Sequence, residues 1–214
     1  MKAIEAVMKW PLVYRLWMAT HSDQKFLPIL RHNSLGDVRR VLDVGCGPGT
    51  NAPQFSNSYY LGIDWNERYI RRAQDKYEGD FIVGDVSKFH VPTDEKFDFI
   101  LINSLLHHLD KDATKRLLAH LPTLLTEDGY IHIIELILPP NFSVPWLLAR
   151  ADRGEFPRPT EEWHRIFNEF LSGVVFEPFD VGFCGLTLWE LIYFKGRAKS
   201  LPGLSAVQDG NGSG

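Results

Sequence analysis

Residues 41–49 run Val41-Leu42-Asp43-Val44-Gly45-Cys46-Gly47-Pro48-Gly49. Three of the first four are apolar, and three glycines follow at alternate positions. The stretch reads as a buried strand running into a tight turn. A turn without Cβ atoms lets backbone come close to a bound ligand. The dinucleotide-binding pattern GxGxxG follows the same logic with a different spacing. Here an acid, Asp43, stands two residues before the first glycine.

Strands and helices alternate outward from this turn. Thr50–Ser58 is short and polar, with Ala52 and Phe55 facing a core, and holds at most a short helix. Tyr59–Ile63 is a strand ending at Asp64, and Glu67–Tyr77 is a polar helix. Phe81–Val83 is a short strand ending at Gly84-Asp85. Phe97–Asn103 is nearly continuous apolar sequence, as a strand covered on both faces requires. Asp110 is the expected N-cap of a helix over Lys111–Leu125, stopped by Asp128-Gly129. Tyr130–Leu138 is a strand closed by Pro139-Pro140. Thr160 is the expected cap of a helix over Glu161–Phe170. Val174–Phe179 and Thr187–Lys195 are the last strands, and the segment between them is too short for a crossover helix. They are expected to pair antiparallel. The sum is an α/β sandwich with a mostly parallel seven-stranded sheet and one antiparallel edge strand.

An N-terminal helical cap is expected over residues 1–38. The main domain follows over 39–197, with an insert at 139–160, and 198–214 reads as a flexible Gly/Ser-rich tail. The 214 residues suit one domain with a sizeable core. A formal net charge of −4 gives no broad electrostatic footprint for nucleic acid. Two cysteines make neither a disulfide framework nor a zinc cluster, and no metal is expected. No stretch reaches the roughly 18 apolar residues that span a membrane, and no signal peptide is visible. A cytoplasmic protein is the expectation.

In an open parallel sheet the ligand crevice lies beyond the carboxyl ends of the strands. Four such ends carry Asp43, Asp64, Asp85 and Asn103. A carboxylate at Asp64 can take both hydroxyls of a ribose. Asp85 can accept from an adenine amino group beside the Val86 N–H. An acid after one strand is commonly a turn or helix cap; three after consecutive strands, the first tied to a glycine turn, point to a ligand.

At these residues the sequence resembles the class I S-adenosylmethionine-dependent methyltransferases, in the manner of the small-molecule enzymes of ubiquinone and menaquinone biosynthesis. The matching stretches are Val41–Gly49, Leu61–Asn66, Gly84-Asp85-Val86, Phe97–Leu109 and Leu125–Glu135. The resemblance implies a Rossmann-like methyltransferase sandwich, with S-adenosylmethionine as cofactor and S-adenosylhomocysteine as product. It implies that Gly45, Cys46, Gly47 and Gly49 line the methionine and ribose part, and that Asp43 lies near the ammonium. Asn51 is placed to contact the carboxylate. Asp64 then holds the ribose, Trp65 lies against the adenine, and Asp85 and Val86 bind its edge. Asn103 and Ser104 border the methyl-transfer cleft.

Positioning supplies much of the catalysis in an in-line methyl displacement. A hydroxyl acceptor still has to lose its proton, and histidine suits that near neutrality. His107 and His108 follow the fourth strand; His107 is the preferred base, the alternative being local hydrogen bonding at a helix start. Glu135 lies in an apolar strand and needs a partner. It is either an acceptor-site group or half of an internal ion pair. His132, three residues away, is expected on the other side of the sheet.

The insert carries Trp146, Arg150, Arg153 and Arg158 above the crevice, with a short helix expected over Val144–Asp152. An apolar face there suits a small, partly apolar acceptor, and the arginines either fork to a carboxylate or phosphate on it or pair with Asp152, Glu155, Glu161 and Glu162. Phe183, Trp163 and His164 are candidates for the same cavity. Tyr14, Trp17 and His21 either pack the N-terminal helix or close over the acceptor. The expected function is methyl transfer to a small-molecule acceptor, at oxygen, by a monomer or homodimer without nucleic acid or membrane partners. The alternatives are an RNA or protein methyltransferase and a cofactor-binding protein without transfer activity.

Overall fold

A computed structural model describes residues 23–85, 96–152 and 154–199. Helix α1 covers 23–32. The sheet is built from β1 (Arg40–Val44), β2 (Tyr59–Asp64), β3 (Asp80–Val83), β4 (Phe97–Asn103), β5 (Leu125–Leu136), β6 (Leu171–Phe183) and β7 (Leu186–Ala198). The other α-helices are α2 (Glu67–Lys76), α3 (Lys111–His120), α4 (Val144–Ala151) and α5 (Thr160–Phe170). The strand order is β3-β2-β1-β4-β5-β7-β6. Strands β1 to β5 are mutually parallel, and β7 runs antiparallel to both β5 and β6. The reversed strand therefore lies one place in from the edge, and β6 is the edge itself.

The order reverses at β1, from which the chain runs outward to β2 and later returns to β4. The carboxyl ends of β1 and β4 thus flank a switch point, where an open α/β sheet places its ligand crevice. Core residues divide between the two faces. Leu117 and Leu118 of α3 and Trp163, Ile166 and Phe167 of α5 pack on one face. Phe26 and Ile29 of α1, Ile70 and Ala73 of α2, and Leu148 and Ala149 of α4 pack on the other. Strands covered on both sides have no polar face, which is why β4 reads as an apolar run.

Local chemistry sets the element ends. The Asp110 carboxylate accepts from the Ala113 N–H at 2.7 Å, capping α3 as expected. The helix stops at His120 rather than Leu125, because Pro122 has no N–H and its ring crowds the preceding turn. Leu121–Leu124 continue as a 3-10 turn, and β5 begins at Leu125. Ala52–Phe55 form only a 3-10 turn, matching the short polar stretch. Pro159, not Thr160, occupies the N-cap position of α5, without a side-chain bond. Strands β6 and β7 run further than their apolar cores suggested. They are joined through Cys184 and Gly185 at φ +50° and +77°, the left-handed pair of a tight hairpin turn. Among the described residues no helix is long and apolar enough to cross a membrane.

Buried Leu118 lies on the α3 stripe with Thr114, Leu117 and Leu121. Leu118→Ala is expected to lower the unfolding free energy by about 2–5 kcal/mol, read by urea denaturation. A loss far below that range would contradict this packing.

Candidate active site

The turn after β1 is fastened to the end of β2. The N–H groups of Gly45 and Cys46 donate to the Ile63 carbonyl at 2.8 and 3.0 Å. The Gly47 N–H donates to Asp64 Oδ2 at 3.0 Å, and the Asn66 N–H to Asp64 Oδ1 at 2.8 Å. Asp64 is thus fixed beside the glycines. Gly47 has φ +54°, and a Cβ built on it would meet nothing within 4 Å. The turn therefore leaves open space on the side where a side chain would project. Cys46 is buried, its thiol directed to the Gly47 carbonyl, so its side chain belongs to the core and only its backbone faces the turn.

Asp43 is fully buried beneath the turn. Its Oδ2 accepts from Asn51 Nδ2 at 2.9 Å and from the Tyr60 hydroxyl. Its Oδ1 is buried and makes no hydrogen bond among the described residues. Burial pushes the carboxyl up to about 6; the Tyr60 and Asn51 hydrogen bonds pull the other way, and the Asp64 charge adds to the rise. A buried carboxylate oxygen without a donor, under a glycine turn, fits an ammonium group.

A directed chain of hydrogen bonds leads from Asp43 toward β4. Asn103 Nδ2 donates to Asn51 Oδ1 at 3.1 Å, and the Ser104 hydroxyl to Asn103 Oδ1 at 3.2 Å. Lys25 Nζ of α1 donates to Ser104 Oγ at 3.3 Å. Ser104 sits at φ +58° with its N–H on the Ile134 carbonyl at 2.8 Å. Burial lowers the Lys25 pKa, while Asp152 and Glu135 oppose that shift.

Beyond Ser104 lies a cavity of about 110 Å³, lined by Lys25, Ser104, His107, His108, Leu136, Asp152, Trp189 and Leu191. The histidines belong to a 3-10 turn over Leu106–His108. His107 is buried and bridges two carboxylates. Its Nδ1 bonds Glu135 Oε1, and its Nε2 lies 3.3 Å from Asp152 Oδ1. Glu135 also accepts from the Leu106 N–H at 2.6 Å and the Leu136 N–H at 2.7 Å. Burial disfavours the imidazolium, but the charges and hydrogen bonds of Glu135 and Asp152 prevail and raise the His107 pKa to about 9. Burial raises and His107 lowers the pKa of both acids, and the net direction is down. An imidazolium engaged at both nitrogens cannot accept a proton, which removes His107 as a simple general base in this state. Of the two options for Glu135, the internal pair is the one observed. His132 lies on the opposite face, stacked on Phe99 and bonded to the Tyr193 hydroxyl at 2.9 Å.

The insert is placed beside this turn, but Arg158 serves the backbone. Its Nη1 donates to the carbonyls of Leu106 at 3.2 Å and Phe156 at 3.1 Å, and its Nη2 to that of Leu109 at 2.9 Å. Its guanidinium lies over the Trp163 ring. A group spent on three carbonyls has little left for an acceptor, so Arg158 clamps the histidine turn. Trp163 is core, with Nε1 donating to the Leu136 carbonyl at 2.8 Å. His164 bonds Asn168 on the exposed side of α5, and Phe183 is exposed at the hairpin tip. Arg150 stands over the Trp146 ring at 5.7 Å. Trp65 and Asp85 are exposed beside the ends of β2 and β3. Tyr14, Trp17, His21, Val86 and Arg153 lie outside the described residues.

Lys25, Asp152, Trp189 and Leu191 were missed as cavity residues. Trp189 and Leu191 come from the reversed strand, more than 80 positions from the histidines, and no spacing rule links them. The signal available was Lys25 beside the apolar Phe26, Leu27, Ile29 and Leu30 of α1.

His107 gives a pH test. Its folded pKa lies above its unfolded value, so its stabilisation is complete below about pH 6.5 and is lost as pH rises through about 9. Across that window His107 holds up to one proton more in the folded than in the unfolded chain, and its contribution to stability falls by up to about 1.4 kcal/mol per pH unit. Chemical denaturation from pH 6.5 to 9 is expected to show this slope, and His107→Gln to flatten it. An unchanged slope in the variant would contradict the assignment.

Comparison with known proteins follows the same outline. Residues 41–129 match the family described as "Methyltransferase domain". The trans-aconitate 2-methyltransferase of Rhodopseudomonas palustris (strain BisB18) is 25% identical, over 67% of this chain and 67% of its own. N-methyltransferase NodS from Bradyrhizobium japonicum WM9, solved in complex with S-adenosyl-l-homocysteine, is similar with a TM-score of 0.68 at 18% identity. That match covers 93% of this chain and 98% of NodS. The mitomycin 7-O-methyltransferase MmcR has a TM-score of 0.63 at 17% identity, covering 90% of this chain and 59% of its own. The narrower resemblance to quinone-biosynthesis enzymes gains nothing from these matches. The glycine turn at the sheet's switch point lies inside the matched methyltransferase domain, and the comparisons support a class I S-adenosylmethionine-dependent methyltransferase.

Proposed function

We propose that the chain methylates a small, partly apolar molecule at oxygen. The observation that carries this reading is the cavity beyond Ser104, mixed in lining and joined to Asp43 beneath the glycine turn through Asn103 and Asn51. Leu136, Trp189 and Leu191 give it an apolar wall, while Lys25, with N–H groups beyond the one given to Ser104, supplies hydrogen-bond donors, and Asp152 is held by His107. Its volume suits the reacting end of a small molecule and not a polymer segment. An N–H donor at Lys25 favours an oxygen that gains negative charge as it attacks.

The cofactor side follows the turn. Asp43 Oδ1 is suited to the cofactor ammonium, and Asn51 to its carboxylate. The open face of Gly47 leaves room for the ligand, and Asp64, fixed beside the turn, is assigned to the ribose. Trp65, Asp85 and Val86 are assigned to the adenine, the last by resemblance. When bound, S-adenosylmethionine supplies the methyl group on a sulfonium, already an activated donor. What the chain adds is placement: Asn103 and Ser104 join the turn to the cavity, and Lys25 offers the acceptor oxygen a donor. Trp146 and Arg150 are assigned to the outer wall, with Arg153 and the N-terminal residues Tyr14, Trp17 and His21 as candidate closure. The organisation expected from sequence is carried forward: a 1–38 cap, a 39–197 domain and a 198–214 tail, acting in the cytoplasm as a monomer or homodimer.

The relatives' names bear on the acceptor in part. One is named for trans-aconitate, one for 7-O-methylation of mitomycin and one for N-methylation. They leave the atom open, and the donors in the cavity are what favour oxygen.

Two measurements check this reading. Gly47→Ala places a methyl group in the open space of the turn. It is expected to weaken S-adenosylhomocysteine binding at least tenfold by calorimetry, with a folding cost of only about 1–2 kcal/mol for the left-handed backbone. Unchanged affinity would contradict the cofactor placement. Radiolabelled S-adenosylmethionine offered with hydroxylated and carboxylated small molecules, bulk RNA and protein is expected to label the small molecules at oxygen. Label confined to RNA or protein, or to nitrogen, would overturn the proposal.

A further inference from the structure

We propose that His107, His108 and Asp152 bind one divalent transition-metal ion on the wall of the acceptor cavity, with Glu135 as the outer partner that orients His107. The three residues offer ligand atoms that all lie within 4.8 Å of one another, and all three line the cavity. Two imidazole nitrogens and one carboxylate make the donor set of open catalytic sites for zinc and other first-row metals. Magnesium and calcium prefer oxygen throughout.

Glu135 supplies the second observation. A metal-ligating histidine ordinarily gives its other N–H to a carboxylate or carbonyl, which fixes tautomer and ring orientation. His107 has this arrangement: Nδ1 is held by Glu135, whose position is fixed by the backbone N–H groups of Leu106 and Leu136. That leaves Nε2 directed at Asp152 Oδ1, 3.3 Å away. The ion replaces the proton between Nε2 and Asp152. Arg158 holds the carbonyls of Leu106 and Leu109 at the ends of the histidine turn, so two of the ligands sit on a clamped segment. Gly154 passes so close that a Cβ on it would lie 2.0 Å from His107 Cδ2. The absent side chain lets Asp152 reach the ring.

With three protein ligands the remaining position faces the cavity, where an acceptor hydroxyl or carboxylate oxygen coordinates. A divalent ion lowers the proton affinity of a bound hydroxyl, whose proton passes to solvent as the oxygen attacks the methyl group. The acceptor's place on the ion rests on the oxygen-directed reading above; binding of the ion does not.

The test uses the untagged full chain, stripped with chelator and titrated with Zn²⁺ by equilibrium dialysis and with Co²⁺ by visible absorption. One equivalent is expected, with ligand-field bands for Co²⁺. His108→Gln at the exposed position and Asp152→Asn are each expected to weaken binding at least tenfold, and Glu135→Gln to weaken it about 10–100-fold. S-adenosylhomocysteine affinity of His108→Gln, expected unchanged, reports that the fold is intact. No saturable binding, or binding undiminished in both His108→Gln and Asp152→Asn, overturns the proposal. The titration needs no acceptor, so a negative result removes the ion and leaves the oxygen-directed reading standing.

Discussion

A carboxylate buried in the middle of an apolar strand has to be answered by donors, and Glu135 organises the acceptor side of the molecule through that need. It is fully buried in β5, and its oxygens take the Leu106 N–H, the Leu136 N–H and His107 Nδ1. Breaking a buried ion pair by removing one partner costs about 3–5 kcal/mol, so the histidine turn is not free to drift from the sheet. Arg158 then grips the same turn from outside through its carbonyls. The insert is held by the Ile137–Arg158 bridge and the Leu138 N–H on the Arg158 carbonyl at 2.9 Å. One buried charge thus fixes the turn, the turn engages Asp152, and Asp152 brings in the end of α4.

The cofactor side has a buried carboxylate of its own. Asp43 is answered only in part, by Tyr60 and Asn51 on one oxygen. The two sides meet through Lys25, Ser104, Asn103 and Asn51, whose hydrogen bonds all run toward Asp43. Such a chain strengthens along its length in a low-dielectric interior. It gives the crevice a fixed distance between the glycine turn and the cavity, which is what an in-line transfer demands.

Much of this was legible in the sequence, for physical reasons. Strands covered on both faces carry no polar alternation, so β1, β4 and β5 stood out as apolar runs. The glycine turn and the acids at the carboxyl ends of β1 and β2 and just after β3 are local signals read within a few residues. The short hairpin link forced β6 and β7 to be antiparallel. The helix over Lys111–Leu125 was overrun because apolar periodicity continued past Pro122, where backbone chemistry decides instead. The candidate acceptor site was less legible, since its parts come from α1, β4, β5, the insert and β7. Arg158 looked like a ligand group because nothing in a sequence distinguishes a guanidinium facing a substrate from one capping carbonyls. The need of Glu135 for a partner was legible; that the partner is His107, 28 positions away, was not.

The central claim is that the glycine turn and the Ser104–His107 cavity are two halves of one crevice. A crystal structure of the full chain with S-adenosylhomocysteine tests it most directly. The account predicts the amino group on Asp43 Oδ1 and the sulfur facing the cavity between Ser104 and His107. A sulfur turned away from that cavity, or a ligand amino group that leaves Asp43 Oδ1 without a partner, would contradict it.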